Sequence, residues 1–420
     1  SNALHALMSA SRDMETASML VECGVDGFAK NDDNKSPLSM AVETLPQLAE
    51  KLLASKSRFE YRWWGKDLYW YSFDGVVFPL DGLTRPLTFA SRGGASLSLE
   101  QLIAANEAKQ LLSVPIVRSL LRRKWRTFGE SVYRRRWVQY LGLVASANAI
   151  LLLPSVDSTG FVLASVAMTV LWYLFLSLET NEIQRNGMRT HFSSFWNLLD
   201  AFNLVGIPGL PLLRLLEDQA QLIDQPLISS LVGGGFVEQL GGVLQISMAL
   251  RALQYASLVR ALGPLLVTVG GMVDDVKSLF GVYVVVFVGF ANAFLVLFTL
   301  SGQPVEYSDI LAKQLLWLLN SVELDLFDRL SGDVALAANA IFWAYILISY
   351  FVLLNLLIAI FNSTFDKVQK NAFNEWLFLR LETLIEYEAQ SENTRGLIAF
   401  YEELGRRNNQ RSVEPEEGGD

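Results

Sequence analysis

From Val334 to Phe361 the sequence is a nearly unbroken apolar run, and from Ala340 to Phe361 it carries no formal charge. As a helix, residues 340–361 rise about 33 Å, enough to cross the hydrocarbon core of a bilayer. In lipid a backbone must satisfy its own hydrogen bonds, so this run predicts a membrane-spanning helix. Asn355 and Asn362 share one face of that helix. Polar groups at membrane depth are costly unless they face protein or water, so this face is expected to line something wet. Past Phe361 the pattern changes without stopping. Phe361, Phe365, Val368, Ala372, Trp376 and Leu379 recur at steps of three and four, with Asp366, Lys367, Lys370 and Glu375 between them. That spacing predicts an amphipathic helix leaving the membrane.

Composition agrees with a membrane class. Of 420 residues, 51% are hydrophobic and 18% charged, against about 25% charged in average soluble domains. The net charge of −9 is no nucleic-acid signature. One cysteine, Cys23, excludes an intrachain disulfide framework, and two histidines, His5 and His191, are too few for the axial ligand pairs of a membrane haem protein. No Cys/His cluster, nucleophile elbow or phosphate loop is present, so the chain is not read as an enzyme. Ser1 is not an initiator methionine, no signal peptide is visible, and the chain is expected to continue a longer protein.

Taken in order, NALHAL (Asn2–Leu7) and SPLSMA (Ser36–Ala41) approximate one motif, with Leu4 and Leu38 about one 33-residue repeat apart. Residues 1–54 therefore resemble ankyrin repeats, the end of a stack that implies a protein partner or a neighbouring subunit. Residues 55–136 are a linker and pre-membrane region. The aromatic-rich stretch 58–82, with two Asp-Gly pairs, predicts a short hairpin. Arg118, Arg122, Arg123, Lys124, Arg126 and Arg134–Arg136 place that side in the cytoplasm and are candidates for anionic lipid headgroups. Spans are predicted near 137–153, ended by Pro154, near 161–180, from Phe195 with breaks at Pro208, Gly209 and Pro211, and near 243–262, closed by Gly263-Pro264. Residues 263–277 are a lateral linker, 278–300 a fifth span, 307–332 a re-entrant loop and 340–361 the sixth span. The tail 391–420 is acidic and reads as disordered. Both termini are expected to be cytoplasmic, in a multi-pass protein of the plasma membrane.

Two strings carry a wider resemblance: NLLIAIFNSTF (Asn355–Phe365) and EWLFLR (Glu375–Arg380). They are similar to the inner pore helix and the following tryptophan box of transient receptor potential (TRP) cation channels. KWRTFG (Lys124–Gly129) resembles the pre-membrane segment of ankyrin-bearing members. The resemblance implies an all-α membrane protein with six transmembrane helices. A four-helix sensor-like bundle (137–262) would precede a linker (263–277) and a pore domain with a re-entrant pore helix (278–361). A TRP helix (362–390) would follow, and a homotetramer would close the pore. Glu323, Asp325 and Asp328 would then each form a ring of four carboxylates that attracts monovalent and divalent cations. Ile358 and Asn362 match the family's gate positions, and Trp376 and Arg380 its coupling box.

The pattern E-x-x-E then N-x-x-D, formed by Glu179, Glu182, Asn197 and Asp200, looks like the intracellular Ca²⁺ site of C-type and melastatin-type TRP channels. These are hard oxygen donors suited to Ca²⁺; a pair of polar helix caps is the plainer reading. The fourth span carries only Arg251 and Arg260, too few for strong voltage gating. A ligand, lipid, Ca²⁺ or mechanical input is expected instead. A polycystin-like six-span channel and a non-conducting ankyrin-linked scaffold are the rival readings.

Overall fold

The computed structural model describes residues 2–10, 13–63, 66–73, 76, 89–90, 96–192, 195–222, 236–302, 305–318, 327, 330, 332–389, 400 and 413–415. Most of these are helical. The chain divides into two compact units, one made of Ser1–Arg260 with Asn374–Asp420 and the other of Ala261–Phe373.

The first unit begins with two helical hairpins, Ala3–Ala10 with Met14–Glu22 and Pro37–Thr44 with Pro46–Ser55. Asp13 and Ser36 cap their helices by accepting from backbone N–H groups, which satisfies donors that a helix start leaves open. His5 is buried, and its Nε2 lies 2.9 Å from the Lys35 carbonyl, as a structural histidine would. Next come β1 (Ser57–Trp63) and β2 (Lys66–Tyr71), an antiparallel hairpin. Its turn falls between Trp63 and Lys66 and not at an Asp-Gly pair. A short pair, β3 (Phe89–Ala90) with β4 (Ser96–Leu97), follows. The third strand of the first sheet comes from the far end of the chain: β5 (Val413–Pro415) pairs antiparallel with β2. The acidic tail read as disordered thus contributes a strand, and Phe400 within it is buried. Backbone pairing needs no hydrophobic pattern, so the sequence carried no sign of it.

Four long helical segments of this unit follow. Glu130–Leu152 ends at Leu153, whose extended backbone (ψ 133°) is what a following proline demands. Thr159–Asn186 is capped by Ser158 and stopped at Gly187, which takes a left-handed φ of +79°. Phe195–Gly206 and Gly209–Leu222 are separated at Ile207–Pro208, where the break was expected. Phe236–Ala256 starts and ends earlier than the expected 243–262, and Gly263-Pro264 opens the next helix and does not close this one. Leu143, Ala147, Ile150, Phe161, Met168, Ile207, Leu210, Leu244 and Met248 form the core between them.

In the second unit the predicted linker and fifth span are a single helix, Gly263–Leu300, since no helix breaker interrupts 277–279. Tyr307–Leu318 is a helix within the stretch expected to be re-entrant. Gly332–Ile346, a π-helical stretch Leu347–Leu354 and Asn355–Glu388 run on as one helical column that continues into the first unit. Trp317 packs among Phe294, Phe327 and Phe342, with ring centroids 5.0–5.6 Å apart. Tyr345 Oη donates to the Gln314 carbonyl at 2.9 Å, tying the column to the Tyr307–Leu318 helix.

Among the described residues four stretches are long and apolar enough to cross a membrane: Thr159–Gln184, Phe195–Gln219, Leu279–Leu300 and part of Gly332–Glu388. Glu130–Leu152 and Phe236–Ala256, predicted as spans one and four, are helices but fall outside that set. Arg134–Arg136 at one end of the former, and Glu238, Gln239, Gln245, Arg251 and Gln254 along the latter, dilute their apolar character.

Candidate functional site

Glu179 and Glu182 sit on the last turns of helix Thr159–Asn186; Asn197 and Asp200 sit on the first turns of helix Phe195–Gly206. Trp172 Nε1 donates to the Leu204 carbonyl at 2.8 Å and fixes the two helices side by side. A Cβ at Gly206 would come within 2.6 Å of Leu244 Cδ2, so the glycine lets the Phe236–Ala256 helix approach closely. Tyr140 Oη donates to the Met248 carbonyl at 2.7 Å and draws the Glu130–Leu152 helix in. Together these helices enclose a cavity of about 150 Å³. All four predicted donors line it, with Arg251 from the fourth helix and Tyr387 from the long C-terminal helix.

Sequence spacing could not give the distance between the two helices; the fold brings both pairs to one cavity. It does not arrange them as a coordination shell. Asp200 accepts a hydrogen bond from Arg251 Nε. Glu179 Oε1 lies 2.7 Å from His191 Nε2, and Glu182 Oε1 lies 3.5 Å from His191 Nδ1. Asn197 Nδ2 donates to the His191 carbonyl at 3.2 Å and stands 3.0 Å from His191 Nδ1. Among the described residues no group of three or more His, Cys, Asp or Glu side chains is placed to hold a metal ion.

Some donors nevertheless remain unsatisfied. The Glu179–His191 contact is close but not aligned as a hydrogen bond, and Asn203, 5% exposed on the cavity wall, has no partner at either amide atom. His191, Arg251 and Asn203 were not assigned to this site from sequence. The available signal was a histidine just past a helix-ending glycine, in the linker joining the two acid-bearing helices.

The predicted coupling residues belong to a second constellation. Trp376 is 2% exposed, packed within the protein. The Arg380 guanidinium lies over two indoles, 4.0 Å from the Trp125 ring centroid and 4.6 Å from that of Trp376. Lys109 pairs with Glu375 at 2.8 Å and Arg136 with Glu386 at 3.0 Å. Lys124, 1% exposed, stands 2.7 Å from both Glu100 and Glu388. Burial pushes the Glu100 carboxyl up, but the Lys124 ammonium and its hydrogen bond outweigh burial and hold it below the usual range. Lys124 and Arg136, offered as lipid-facing cations, are thus engaged inside the protein.

In the second unit Ile358 and Asn362 occupy successive turns of one helix face, both exposed on the single chain. Asn355, on the same face, donates from Nδ2 to the Phe351 carbonyl at 2.7 Å. Glu323, Asp325 and Asp328 lie outside the described residues.

A mostly helical chain with four stretches long and apolar enough to cross a membrane among its described residues has the make-up of an integral membrane protein. Residues 151–395, more than half of the chain, match the family described as "Calcium channel YVC1-like, C-terminal". The chain belongs to that family, within the TRP cation channels. It is 26% identical over 227 residues to a "Transient receptor potential cation channel subfamily M member-like 2" of Nematostella vectensis, covering 49% of this chain and 14% of that protein. It is 22% identical over 261 residues to a "Transient-receptor-potential-like protein" of Drosophila melanogaster, covering 51% of this chain and 23% of that one. The chain thus spans less than a quarter of either relative's length.

Proposed function

We propose that the chain is the channel-forming part of a homotetrameric, six-span cation channel whose opening is biased by cytosolic Ca²⁺. The observation that carries this reading is the convergence of Glu179, Glu182, Asn197 and Asp200 on one cavity, whose wall also includes Thr383, Glu386 and Tyr387. Those three belong to the helix that begins at Asn355 and carries Ile358 and Asn362. A ligand in the cavity can therefore favour one setting of the helix that bears the proposed gate, which is what population shift requires. Three carboxylates and an amide are donors suited to Ca²⁺, and Glu179 Oε1 and Asn203 supply buried polar atoms in want of a partner. When bound, the ion would neutralise the acids held by the ends of two helices.

Glu323, Asp325 and Asp328 form the cation-attracting rings of this channel, Ile358 and Asn362 its constriction, and Trp376 with Arg380 the coupling box. Calcium and sodium are the expected permeant ions. Residues 1–54 are the end of an ankyrin stack that engages a protein partner or a neighbouring subunit. The protein lies in the plasma membrane with both termini cytoplasmic, and Arg122, Arg126, Arg134 and Arg135 remain candidates for anionic headgroups.

Excised inside-out patches containing the full protein, bathed in graded Ca²⁺, test the reading. Cation currents should rise with Ca²⁺, and Glu179→Gln or Asp200→Asn should shift the half-activating concentration upward by about tenfold or more. Ca²⁺-dependent currents unchanged in both variants would remove the site. A tetramer that reaches the membrane yet passes no cation current would favour the scaffold reading.

A further inference from the structure

His191 lies on a short turn, Met188–His191, that follows Gly187. Among the described side chains of residues 188–192, Met188, Arg189 and Phe192 are exposed; only His191 is buried, with its side chain fully inaccessible. The turn is fixed to the bundle through that one ring and the Asn197–His191 carbonyl hydrogen bond. The ring contacts three of the four predicted donors: Glu179 at 2.7 Å, Glu182 at 3.5 Å and Asn197 at 3.0 Å. A carboxylate oxygen facing an imidazole nitrogen at 2.7 Å cannot at the same time sit about 2.3–2.6 Å from a central cation in the same direction. Imidazole is also a poor donor for a hard cation such as Ca²⁺.

On the Ca²⁺ reading above, we infer that His191 is an internal occupant of the acid site, which a divalent cation must displace in order to bind. The ring occupies the space against Glu179 Oε1 and Glu182 Oε1 that the cation requires. The turn that carries the ring presents otherwise exposed side chains, so releasing it sacrifices little packing. The misaligned Glu179 contact leaves that oxygen incompletely satisfied, so a cation in its place gains more than it breaks. The imidazole thereby sets the Ca²⁺ threshold: it holds the acids when Ca²⁺ is scarce and yields when Ca²⁺ is abundant. Occupancy of that space by the ring is enough for this effect and requires no change in its charge.

The test is equilibrium binding of radioactive Ca²⁺ to the purified tetramer at one fixed pH, alongside its thermal midpoint in chelator and in saturating Ca²⁺. His191→Ala should lower the half-saturating Ca²⁺ concentration by about three- to tenfold, because the binding-competent fraction of sites rises. It should also lower the midpoint in chelator and widen the gain on adding Ca²⁺. His191→Gln, which fills the space and keeps one amide donor, should fall between the two and serves if the alanine variant does not fold. Binding equal to or weaker than wild type in the folded variant overturns the inference, weaker binding marking His191 as a ligand. The Ca²⁺ reading has its own control: Glu179→Gln and Asp200→Asn should abolish the high-affinity binding. Loss there with an unchanged His191→Ala isotherm fells the occupant alone; wild-type binding in both acid variants fells the site and the occupant with it.

Discussion

In residues 261–373 the interior is a set of interlocked rings. Trp317 meets Phe342 edge-on at 86° and stacks on Phe327 at 22°, and Phe294 closes the third side. In the other unit the helices share an apolar core around Leu143, Met168 and Met248, and beside it lies a cavity whose wall mixes apolar side chains with carboxylates, amides and a guanidinium. Aromatic packing has one good arrangement and resists change. A polar wall with unsatisfied atoms sacrifices stability but can exchange partners, as a ligand-responsive element must. On the proposed function, the difference separates a region that holds a pore scaffold from one that is biased by what enters it.

The comparison can be broken most directly at Trp317. Trp317→Ala should cost about 3–5 kcal/mol, the usual range for truncating a packed aromatic. Thermal unfolding of the purified full protein in chelator reads it, and a loss under about 1 kcal/mol would deny that the ring cluster is a rigid core. Two buried amides then sharpen the contrast. Gln314 in the aromatic core is fully buried, and, like Asn203, has no hydrogen-bond partner at either amide atom. An unpaired buried polar group costs about 1–3 kcal/mol, so replacing either by leucine should stabilise by roughly that amount. The two should part in function: Asn203→Leu should weaken Ca²⁺ binding, and Gln314→Leu should leave it unchanged. Equal effects on binding would erase the distinction between the two interiors.

Much of the fold was legible because its signals are local. Pro154 and Pro208 stop helices where their own backbone chemistry requires, and the run from Ala340 lies in a helix long and apolar enough to cross a membrane. Gly263-Pro264 misled because the pair ends one helix and starts another equally well; only the packed chain decides. The π-helical stretch Leu347–Leu354 lies in uniform apolar sequence with no glycine or proline to mark it. At the site, spacing found the four donors but not their partners. His191 and Arg251 reach them from the connecting turn and from another helix, and no periodicity records such a meeting. The pairing of β5 with β2 joins segments over 300 residues apart and was invisible for the same reason.

The smallest expected effect concerns Arg380, which belongs to neither interior. Its planar guanidinium lies 4.0 Å from the Trp125 ring centroid and 4.6 Å from that of Trp376, so the one ion contacts two aromatic rings. Such contacts are worth about 0.5–2 kcal/mol each, more when shielded from water. Arg380→Lys keeps the charge but presents a compact ammonium where a flat group stood, and cannot stack on two rings at once. The variant should unfold at a temperature only a few degrees lower. Its half-saturating Ca²⁺ should match wild type, because no predicted Ca²⁺ donor touches Arg380. What should fall is the maximal open probability at saturating Ca²⁺, since Trp125 precedes the membrane region and Trp376 follows the proposed gate on its own helix. Lower binding affinity with unchanged maximal opening would instead make the stack part of the cavity wall, and the separation of binding from coupling would fail.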